Sequence, residues 1–450
     1  MEWSIPTYVE NIIDRLEENG FSAYIVGGSV RDILIGKEPS DFDVTTDALP
    51  EEIEVIFKDY TTLEVGKKFG TVVVVQEEGI VEVTTFRSDG EYLDGRRPER
   101  VFFSKNIFDD LSRRDFTINA MAYNKNTGLI DYFNGMEDLE KKKIKAVGNP
   151  QERFEEDYLR IMRALRFATQ LEFYIEEETY NSCKEYSEYI RDISIERIRE
   201  EFFKIVLSKT PSYGINLMKD TGVLDVILPE ITKAIEFNQH NSHHDKDVFS
   251  HTLCVLDKTS PILHLRLAAL FHDIGKPYTL TIDEKGIGHF YEHDKLGAKM
   301  AKEILQRWKS SNELIEKVSI LIYKHMTQHA NLKEKGLKRL LAALGEDEIF
   351  TLLELQKADR SCSHEEADIE DLLEREESIK NIIQNKEAYD KNQLAISGYD
   401  VIELGYKQGK VIGEILDYLL EKVLEKPELN HKEKLIETVK QNFNQVKSEK

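Results

Sequence analysis

The sequence predicts an α+β protein with a mixed-sheet domain at its N-terminus and helical domains behind it. Short apolar runs rich in β-branched residues, separated by turns, are confined to the first third of the chain. From Asn149 onward the apolar residues recur at the spacing of amphipathic helices. With 450 residues, 40% hydrophobic and 32% charged, the composition is that of a soluble globular protein with several domains. The predicted segments are a mixed-sheet head (1–148), a helical neck (149–236), a histidine-rich body (237–368) and a helical tail (369–450).

The elements of the head follow one another in a regular order. Residues 9–19 have helical spacing, and Gly20 ends the pattern. The segments AYIVGG and SDFDVTT predict two strands, with a short helix, SVRDILIG, between them. The segment GTVVVVQEEGIVEVTTFR is typical of a β-hairpin that turns at residues 77–79. RDFTINAMAYN and GLIDYF predict further short strands or helical turns.

The charge is strongly and unevenly negative. A formal charge of −23 argues against non-specific nucleic-acid binding. Basic residues are nevertheless concentrated in the first half, in DGRRPER, SRRD, EKKKIK and YLRIMRALRF, whereas the last two hundred residues hold acidic runs such as SHEEADIEDLLEREES. The pattern indicates a basic front part and an acidic rear part.

The sequence indicates a cytoplasmic protein. It has no run of eighteen apolar residues that would predict a membrane span, and its first residues do not resemble a secretion signal. Cys183, Cys254 and Cys362 are far apart and form no C-x-x-C pair. We therefore expect three idle thiols in a reducing compartment.

Two aspartates follow a glycine-rich turn in the first strand region. Asp41 and Asp43 are two residues apart, so in a strand they would point to the same face. Adjacent carboxylates repel each other unless a cation lies between them, and Mg²⁺ prefers such oxygen ligands. Gly28 would let the backbone approach a phosphate, and Arg31 would bind a triphosphate oxygen. Taken alone, the D-x-D pair is more often a surface turn, and it is the upstream G-G-x-x-R-D segment that favours the metal site.

In combination, GGSVRDILIG and DFDVTTDALPEE resemble the nucleotidyltransferase superfamily, and more closely its class II tRNA CCA-adding enzymes and bacterial poly(A) polymerases. Four later segments are similar, in the same order, to the flexible loop, the ribose- and phosphate-contacting motif, the connecting motif and the base-reading motif of that family: EVTTFRSDGEYLDGRRPERVFF, LSRRDFTINAMAYN, DYFNGMEDL and RFEEDYLRIMRALRFA. The resemblance implies Mg²⁺-dependent nucleotidyl transfer from CTP and ATP to the tRNA acceptor end, with Asp41 and Asp43 as catalytic metal ligands.

The segment EEDYLR suggests how C and A are chosen. We expect Asp157 and Arg160, three residues apart, to share one helix face. A carboxylate only accepts hydrogen bonds and a guanidinium only donates them, which matches the amino donor and ring-nitrogen acceptor that cytosine and adenine share. The alternative is an ion pair within the helix, and the resemblance favours base reading. It also assigns Arg163 and Arg166 to the triphosphate and the nearby nucleotide, unless one of them forms a structural ion pair within the helix.

Further candidates lie in the head. Arg114 is a candidate phosphate or ribose contact, and Asp115 a candidate ribose-hydroxyl contact. Asn119 could equally hydrogen-bond within the core. A third carboxylate often joins such a metal pair, and Glu82 is either that ligand or a solvated strand residue.

The histidine-rich body contains the order H…HD…H…H…D, which resembles the HD superfamily of metal-dependent phosphohydrolases. The resemblance implies a site for a second divalent or transition metal, and imidazole suits transition metals. Core histidines without metal are the alternative reading, and an HD module can serve as a hydrolase or mainly as body structure. The candidate ligands are His251, His272, Asp273, His293, His325 and Asp359.

Several functions remain open from the sequence. Addition of CCA is the first hypothesis, and addition of A alone or poly(A) synthesis is the second. CC-only addition is disfavoured because the loop has full length. A phosphohydrolase with a degenerate RNA-binding head, or a non-catalytic RNA-binding protein, would not need the intact acidic and basic motif residues. The sequence does not set the activity of the HD site or the oligomeric state.

Overall fold

The computed structural model describes residues 3–63, 69–90, 101–240, 247–363 and 368–443. The chain forms two compact units, Met1–Thr232 and Lys233–Lys450. The predicted α+β class is confirmed, with the mixed sheet in the first unit. The finer division into head, neck, body and tail stays a prediction.

The first unit is built on a seven-stranded mixed sheet. Its strands, together with two smaller pairs, are β1 (Ala23–Val26), β2 (Asp43–Thr46), β3 (Thr61–Leu63), β4 (Thr71–Val75), β5 (Ile80–Thr85), β6 (Arg87–Asp89), β7 (Val101–Phe103), β8 (Ala122–Asn124), β9 (Gly128–Ile130), β10 (Lys143–Ile144) and β11 (Tyr174–Ile175). The sheet order is β3-β4-β5-β2-β1-β8-β9, and within it only β2 and β5 run parallel. The hairpin predicted to turn at residues 77–79 is β4–β5.

The predicted flexible loop is described only at its ends. There β6 and β7 pair in antiparallel fashion. Residues 91–100, which carry DGRRPER, lie outside the described residues.

Helices pack against the sheet and form most of the remainder of the first unit. They are α1 (Thr7–Glu18), α2 (Gly28–Leu34), α3 (Pro50–Ile56), α4 (Ile107–Ser112), α5 (Gly135–Glu140), α6 (Pro150–Glu156), α7 (Leu159–Leu171), α8 (Glu177–Glu185), α9 (Ile195–Val206), α10 (Pro211–Asp220), α11 (Val223–Ile227) and α12 (Pro229–Thr232). Gly20, at φ +87°, turns the chain just after α1, as the sequence predicts. α7 is buried on most of its surface and packs against α9 and the head.

The second unit is helical with one small hairpin. Its elements are α13 (Val248–Lys258), α14 (Leu263–Phe271), α15 (Lys276–Thr279), β12 (Leu280–Ile282), β13 (Gly288–Phe290), α16 (His293–Arg307), α17 (Asn312–Lys324), α18 (Glu334–Ser363), α19 (Glu370–Gln384), α20 (Gly398–Glu403), α21 (Lys410–Glu425) and α22 (Lys432–Asn442). α18 is interrupted at Gly345, whose φ of +80° kinks the helix. In the part of the chain that the structure describes, no helix combines the length and apolarity that crossing a membrane requires.

Two of the three cysteines are not idle thiols. Cys254 on α13 and Cys362 on α18 form a disulfide, with their Cα atoms 5.9 Å apart. The expectation from sequence is wrong for this pair because a separation of 108 residues does not reveal that α13 and α18 pack side by side. Cys183 is a free, buried thiol, and burial raises its pKa.

Candidate active site and histidine cluster

Three carboxylates gather where β2 begins. Asp43 is the first residue of β2, and its register partner on the parallel neighbour β5 is Glu82, so the two side chains lie next to each other. Asp41 precedes the strand, so strand alternation does not orient it, contrary to the sequence argument. Its negative charge still acts on the Asp43 carboxylate. All three acids are open to solvent at this edge of the sheet.

The ionisation of Asp43 reflects this crowding. Although part of the Asp43 side chain reaches solvent, the protein around its carboxylate partly removes water and raises its pKa to about 6. The positive charge of Arg114 opposes this shift, whereas Glu82 and Asp41 add to it. A carboxylate that is costly to ionise among other acids gains most from a cation. The donor set therefore fits Mg²⁺, which takes oxygen ligands from a few carboxylates.

The glycine turn lies beside Arg114. Gly27 has φ +79°, and a Cβ there would come within 2.9 Å of the Arg114 Nη1 atom. One Arg114 nitrogen, Nη2, binds Asp110 at 3.1 Å. Its Nε is buried and has no hydrogen-bond partner among the described residues. Glycine is thus required for the close approach of backbone and guanidinium, and Arg114 retains a donor for an anionic ligand.

A chain of hydrogen bonds connects the glycine turn to the neck helix. Arg31 donates to the Asn119 side-chain oxygen at 2.8 Å, and Asn119 donates to Asp115 at 3.1 Å. Arg163 on α7 binds the other Asp115 oxygen at 2.6 Å. Burial opposes ionisation of Asp115, but Arg163 and the Asn119 amide outweigh it and lower its pKa to about 2. Asn119 is therefore a buried connector, and Asp115 is a fixed anion.

The ring of Phe167, which was not among the residues predicted from the sequence, lies against three arginines. The guanidinium carbons of Arg31, Arg163 and Arg166 lie 5.1, 5.3 and 3.8 Å from the centre of the Phe167 ring. Arg166 also binds Glu201 of α9 at 2.5 Å and is buried. Arg163 and Arg166 therefore both form ion pairs, with Asp115 and Glu201, and neither of these pairs lies within α7 as the alternative required. The sequence signal for the contact between Arg163 and Phe167 is the aromatic residue four positions after the arginine, on the same helix face.

Asp157 and Arg160 are not on one helix face as expected. Asp157 has an extended conformation in the break between α6 and α7, and it accepts a hydrogen bond from the Leu159 amide at 3.0 Å. Arg160 pairs with Glu156 and donates to the Arg113 carbonyl at 3.1 Å. The alternative ion pair between Asp157 and Arg160 does not occur among the described contacts. Both side chains are instead held separately at the start of α7.

Arg197 is a site residue that sequence reasoning missed. From α9 it donates to both Asp157 oxygens, at 2.6 Å and 3.3 Å. Forty residues separate the two, and no spacing rule connects a residue in a helix break to a residue on another helix. Each carboxylate oxygen has two lone pairs, so Asp157 can still accept further hydrogen bonds while Arg197 fixes its orientation.

We expect Arg197→Ala to lower kcat/KM for nucleotide addition about tenfold, because a charged hydrogen bond that positions Asp157 is lost. Discrimination against UTP should weaken as well, and Arg197→Lys should restore part of both. Arg191→Ala is the matched control, since Arg191 is an exposed residue paired with Glu188. Unchanged discrimination and kcat/KM in Arg197→Ala would contradict the positioning role.

The six predicted ligands of the second unit converge in one buried cluster. His251 Nε2 lies 3.0 Å from Asp359 Oδ1 and 3.3 Å from His272 Nε2. On the other side, His293 Nε2 lies 3.4 Å from Asp273 Oδ1. The ligand atoms form two groups that share Asp273: His251, His272 and Asp273, and Asp273, His293 and His325.

The surroundings leave the ring nitrogens of three histidines ready for a metal. The Nδ1 atoms of His272, His293 and His325 lie 2.6 to 2.7 Å from the carbonyl oxygens of residues 269, 290 and 322. Such bonds fix the tautomer with Nδ1–H donating, so Nε2 points inward as an acceptor. Gly275 permits the approach of α16, because a Cβ there would lie 2.5 Å from the His293 carbonyl oxygen.

The pKa values of His272 and His325 are shifted in opposite directions within the cluster. Burial disfavours the imidazolium of His272, yet the neighbouring Asp273 raises its pKa to about 9. Burial lowers the pKa of His325 to about 4. Asp273 also binds Lys276 at 2.7 Å, and Gln328 donates to Asp359 at 2.5 Å. Neither of these two contacts was expected from the ligand order.

Three known families match successive segments of the chain. Residues 23–145 match a poly A polymerase head domain, residues 172–235 a probable RNA and SrmB-binding site of polymerase A, and residues 283–439 a putative tRNA nucleotidyltransferase domain 2. Together with the carboxylates at the sheet edge, the head match defines a nucleotidyltransferase.

Relatives that match nearly the whole chain identify the family more specifically. The CCA-adding enzymes of Ligilactobacillus salivarius and Enterococcus faecalis are 33% and 34% identical to this chain; the alignments cover 95% of the chain in both cases and 95% and 94% of the relatives. The crystal structure of the Bacillus stearothermophilus CCA-adding enzyme in complex with CTP is 27% identical, covers 97% of this chain and 98% of that one, and superposes with a TM-score of 0.72. The chain belongs to the family of CCA-adding enzymes.

Proposed function

We propose that the head and the start of α7 form one active site that adds C, C and A to the 3′ end of tRNA, using CTP and ATP and releasing pyrophosphate. The observation that carries the assignment of residues is the arrangement around Asp43. Three carboxylates at the sheet edge lie beside an arginine with a buried, unpartnered donor. Asp41 and Asp43, with Glu82 as a third carboxylate, would hold Mg²⁺.

Different residues of the chain bind different parts of the substrates. Arg114, Arg31 and the backbone at Gly28 bind the triphosphate, because the positive charge of Arg114 acts on Asp43 and Arg31 lies on the helix that begins at Gly28. Arg163, anchored by Asp115, contributes positive charge on the neck side. When bound, Mg²⁺ activates the RNA 3′-hydroxyl for in-line attack on the α-phosphorus and neutralises developing charge. The protein itself supplies position and electrostatic complementarity.

Base choice rests on Asp157 and Arg160. Asp157 accepts from the exocyclic amino group of cytosine or adenine, and Arg160 donates to the adjacent ring nitrogen. Uracil and guanine would present a carbonyl to the carboxylate, which cannot donate. The separate anchoring of the two side chains supports this proposal, because neither neutralises the other.

CCA addition is favoured over addition of A alone or poly(A) synthesis because the whole-chain relatives carry the name of CCA-adding enzymes. The tRNA acceptor end, CTP and ATP are then the partners, and the compartment we propose is the cytoplasm.

The test is a mass balance of the reaction. Purified protein is incubated with tRNA that lacks CCA, with CTP and ATP, and with or without Mg²⁺. One pyrophosphate released per nucleotide incorporated, and no incorporation after chelation, are the expected results. Incorporation without pyrophosphate release, or in the absence of any divalent cation, would contradict the proposal.

A second function is favoured by the convergence of six buried ligands in the second unit. We propose that His251, His272, Asp273, His293, His325 and Asp359 bind one or two divalent or transition metal ions, as an HD-type centre. Two carboxylates among four imidazoles suit such ions, and the inward Nε2 atoms are ready to ligate. A hydrolytic activity on phosphate esters is the function that this centre would support.

The double variant His272→Ala/Asp273→Ala is expected to lose the metal of the second unit while CTP and ATP addition stays within about twofold of the parent. Metal content after gel filtration, determined by inductively coupled plasma mass spectrometry, gives the answer. Phosphodiester and phosphomonoester hydrolysis is assayed in parallel. Equal metal content in parent and variant would remove the proposed centre.

A further inference from the structure

A disulfide joins two helices of the second unit one turn away from the histidine cluster. Cys254 follows His251 by three residues on α13, and Cys362 follows Asp359 by three residues on α18. Residues three apart lie on the same side of a helix. The two helices are therefore joined by the His251–Asp359 contact at 3.0 Å and by a covalent bond one turn further on.

Noncovalent contacts also hold this part of α18. The structure describes α18 as far as Ser363, so Asp359 and Cys362 lie in its last described turns. Gln328 donates to the Asp359 carboxylate at 2.5 Å, and the exposed Lys258 ammonium donates to the Ser361 carbonyl oxygen at 2.9 Å. Each of these hydrogen bonds is weaker than a covalent bond. Among the described contacts, the disulfide is therefore the covalent restraint nearest to Asp359.

The two sulfur atoms differ in access. Cys254 is partly exposed, whereas Cys362 is buried. A thiolate from a dithiol reductant can attack the Cys254 sulfur; the S–S bond breaks, and its electron pair leaves on the Cys362 sulfur, which takes up a proton. The second thiol of the reductant then releases Cys254 as a thiol, and the reductant becomes a disulfide. Disulfides of cytoplasmic proteins are usually transient and redox-sensing.

We propose that Cys254 and Cys362 form a reversible redox site that controls metal binding by the neighbouring histidine cluster. In the oxidised protein the bond holds Asp359 against His251, and both ligands are in place. Reduction by a cellular dithiol removes this covalent restraint on α18, and the cluster binds its metal more weakly. This inference rests on the proposed metal centre.

The experiment compares Co²⁺ binding by the oxidised and the reduced full-length protein. Reductant is removed by anaerobic gel filtration before titration, because it binds metals itself. The double variant His272→Ala/Asp273→Ala gives the blank for sites elsewhere. We expect reduction to weaken Co²⁺ binding at the second-unit site about tenfold or more, the size of effect seen when groups that orient ligands are lost. Alkylation under denaturing conditions should label one cysteine before reduction and three after it, because Cys183 is buried in the folded protein.

Two variants distinguish an effect of the disulfide bond from an effect of the free thiols. Cys254→Ser/Cys362→Ser should bind Co²⁺ as the reduced parent does, whether or not reductant is added, which excludes ligation by the freed thiols. Cys183→Ser, at the free buried cysteine, should behave as the parent in both redox states. Unchanged CTP and ATP addition in all variants serves as the folding control.

The outcomes are distinguishable. Equal Co²⁺ affinity in both redox states, or three alkylated cysteines in the protein isolated without reductant, would overturn the redox site and leave the metal centre standing. Co²⁺ binding no greater than the blank in either state would overturn the metal centre, and the redox inference with it.

Discussion

Asp43→Asn is expected to lower kcat for both C and A addition by on the order of 10³-fold, the largest effect of any single substitution here. Asparagine keeps the size of the side chain but removes the charge that would bind Mg²⁺ at the start of β2. The measurement is single-turnover incorporation of CTP and of ATP, each on a tRNA that ends at the matching position.

Controls are needed to show that the loss of activity arises in the chemical step and not from a defect in folding or RNA binding. Asp59→Asn is the matched control, because Asp59 is an exposed head residue that pairs with Arg15 away from the site. Affinity for tRNA should be retained in both variants. Glu82→Gln tests the third carboxylate, and we expect an intermediate loss. Activity of Asp43→Asn within tenfold of the parent would contradict the assignment of Asp43 as a metal ligand.

Asp157→Asn is expected to weaken discrimination against UTP by about 1–3 kcal/mol, which is roughly 5- to 150-fold. The amide can donate to the carbonyl that uracil presents, whereas the carboxylate cannot. Competition between CTP and UTP at the first added position measures the ratio of the two kcat/KM values. The expected change is a rise for UTP together with a fall for CTP.

The neighbouring acid Asp192 provides the control for this substitution. It is exposed on the same neck segment, and Asp192→Asn should leave the CTP to UTP ratio unchanged. Parental discrimination in Asp157→Asn would show that the base is read elsewhere. A proportional loss for all nucleotides would assign Asp157 a structural role only.

The parts of the fold that depend on local patterns could be predicted from the sequence. The order of strands around Gly28 and Asp43, the hairpin of β4 and β5 and the helical second half all follow from periodicity and turn residues. Five of the six metal-ligand candidates also form the two groups that share Asp273, and the sixth, Asp359, contacts His251.

The parts that depend on packing between distant segments could not be predicted. The break between α6 and α7 places Asp157 in an extended conformation because its side chain caps the next helix, which residue spacing alone does not distinguish from a continuous helix. Arg197 and Glu201 act from α9, and only the packing of α9 on α7 brings them to the site. The disulfide depends in the same way on the contact between α13 and α18.

We propose that one protein site adds C, C and A in order without a nucleic-acid template. Single-nucleotide extension tests this with tRNA lacking CCA, tRNA ending in C and tRNA ending in CC, with each of the four nucleoside triphosphates alone and with CTP and ATP together. We expect that CTP extends the first two substrates, that ATP extends only the third, and that the mixture stops after CCA. Extension by ATP alone into long tails, or addition of A only with no use of CTP, would contradict it.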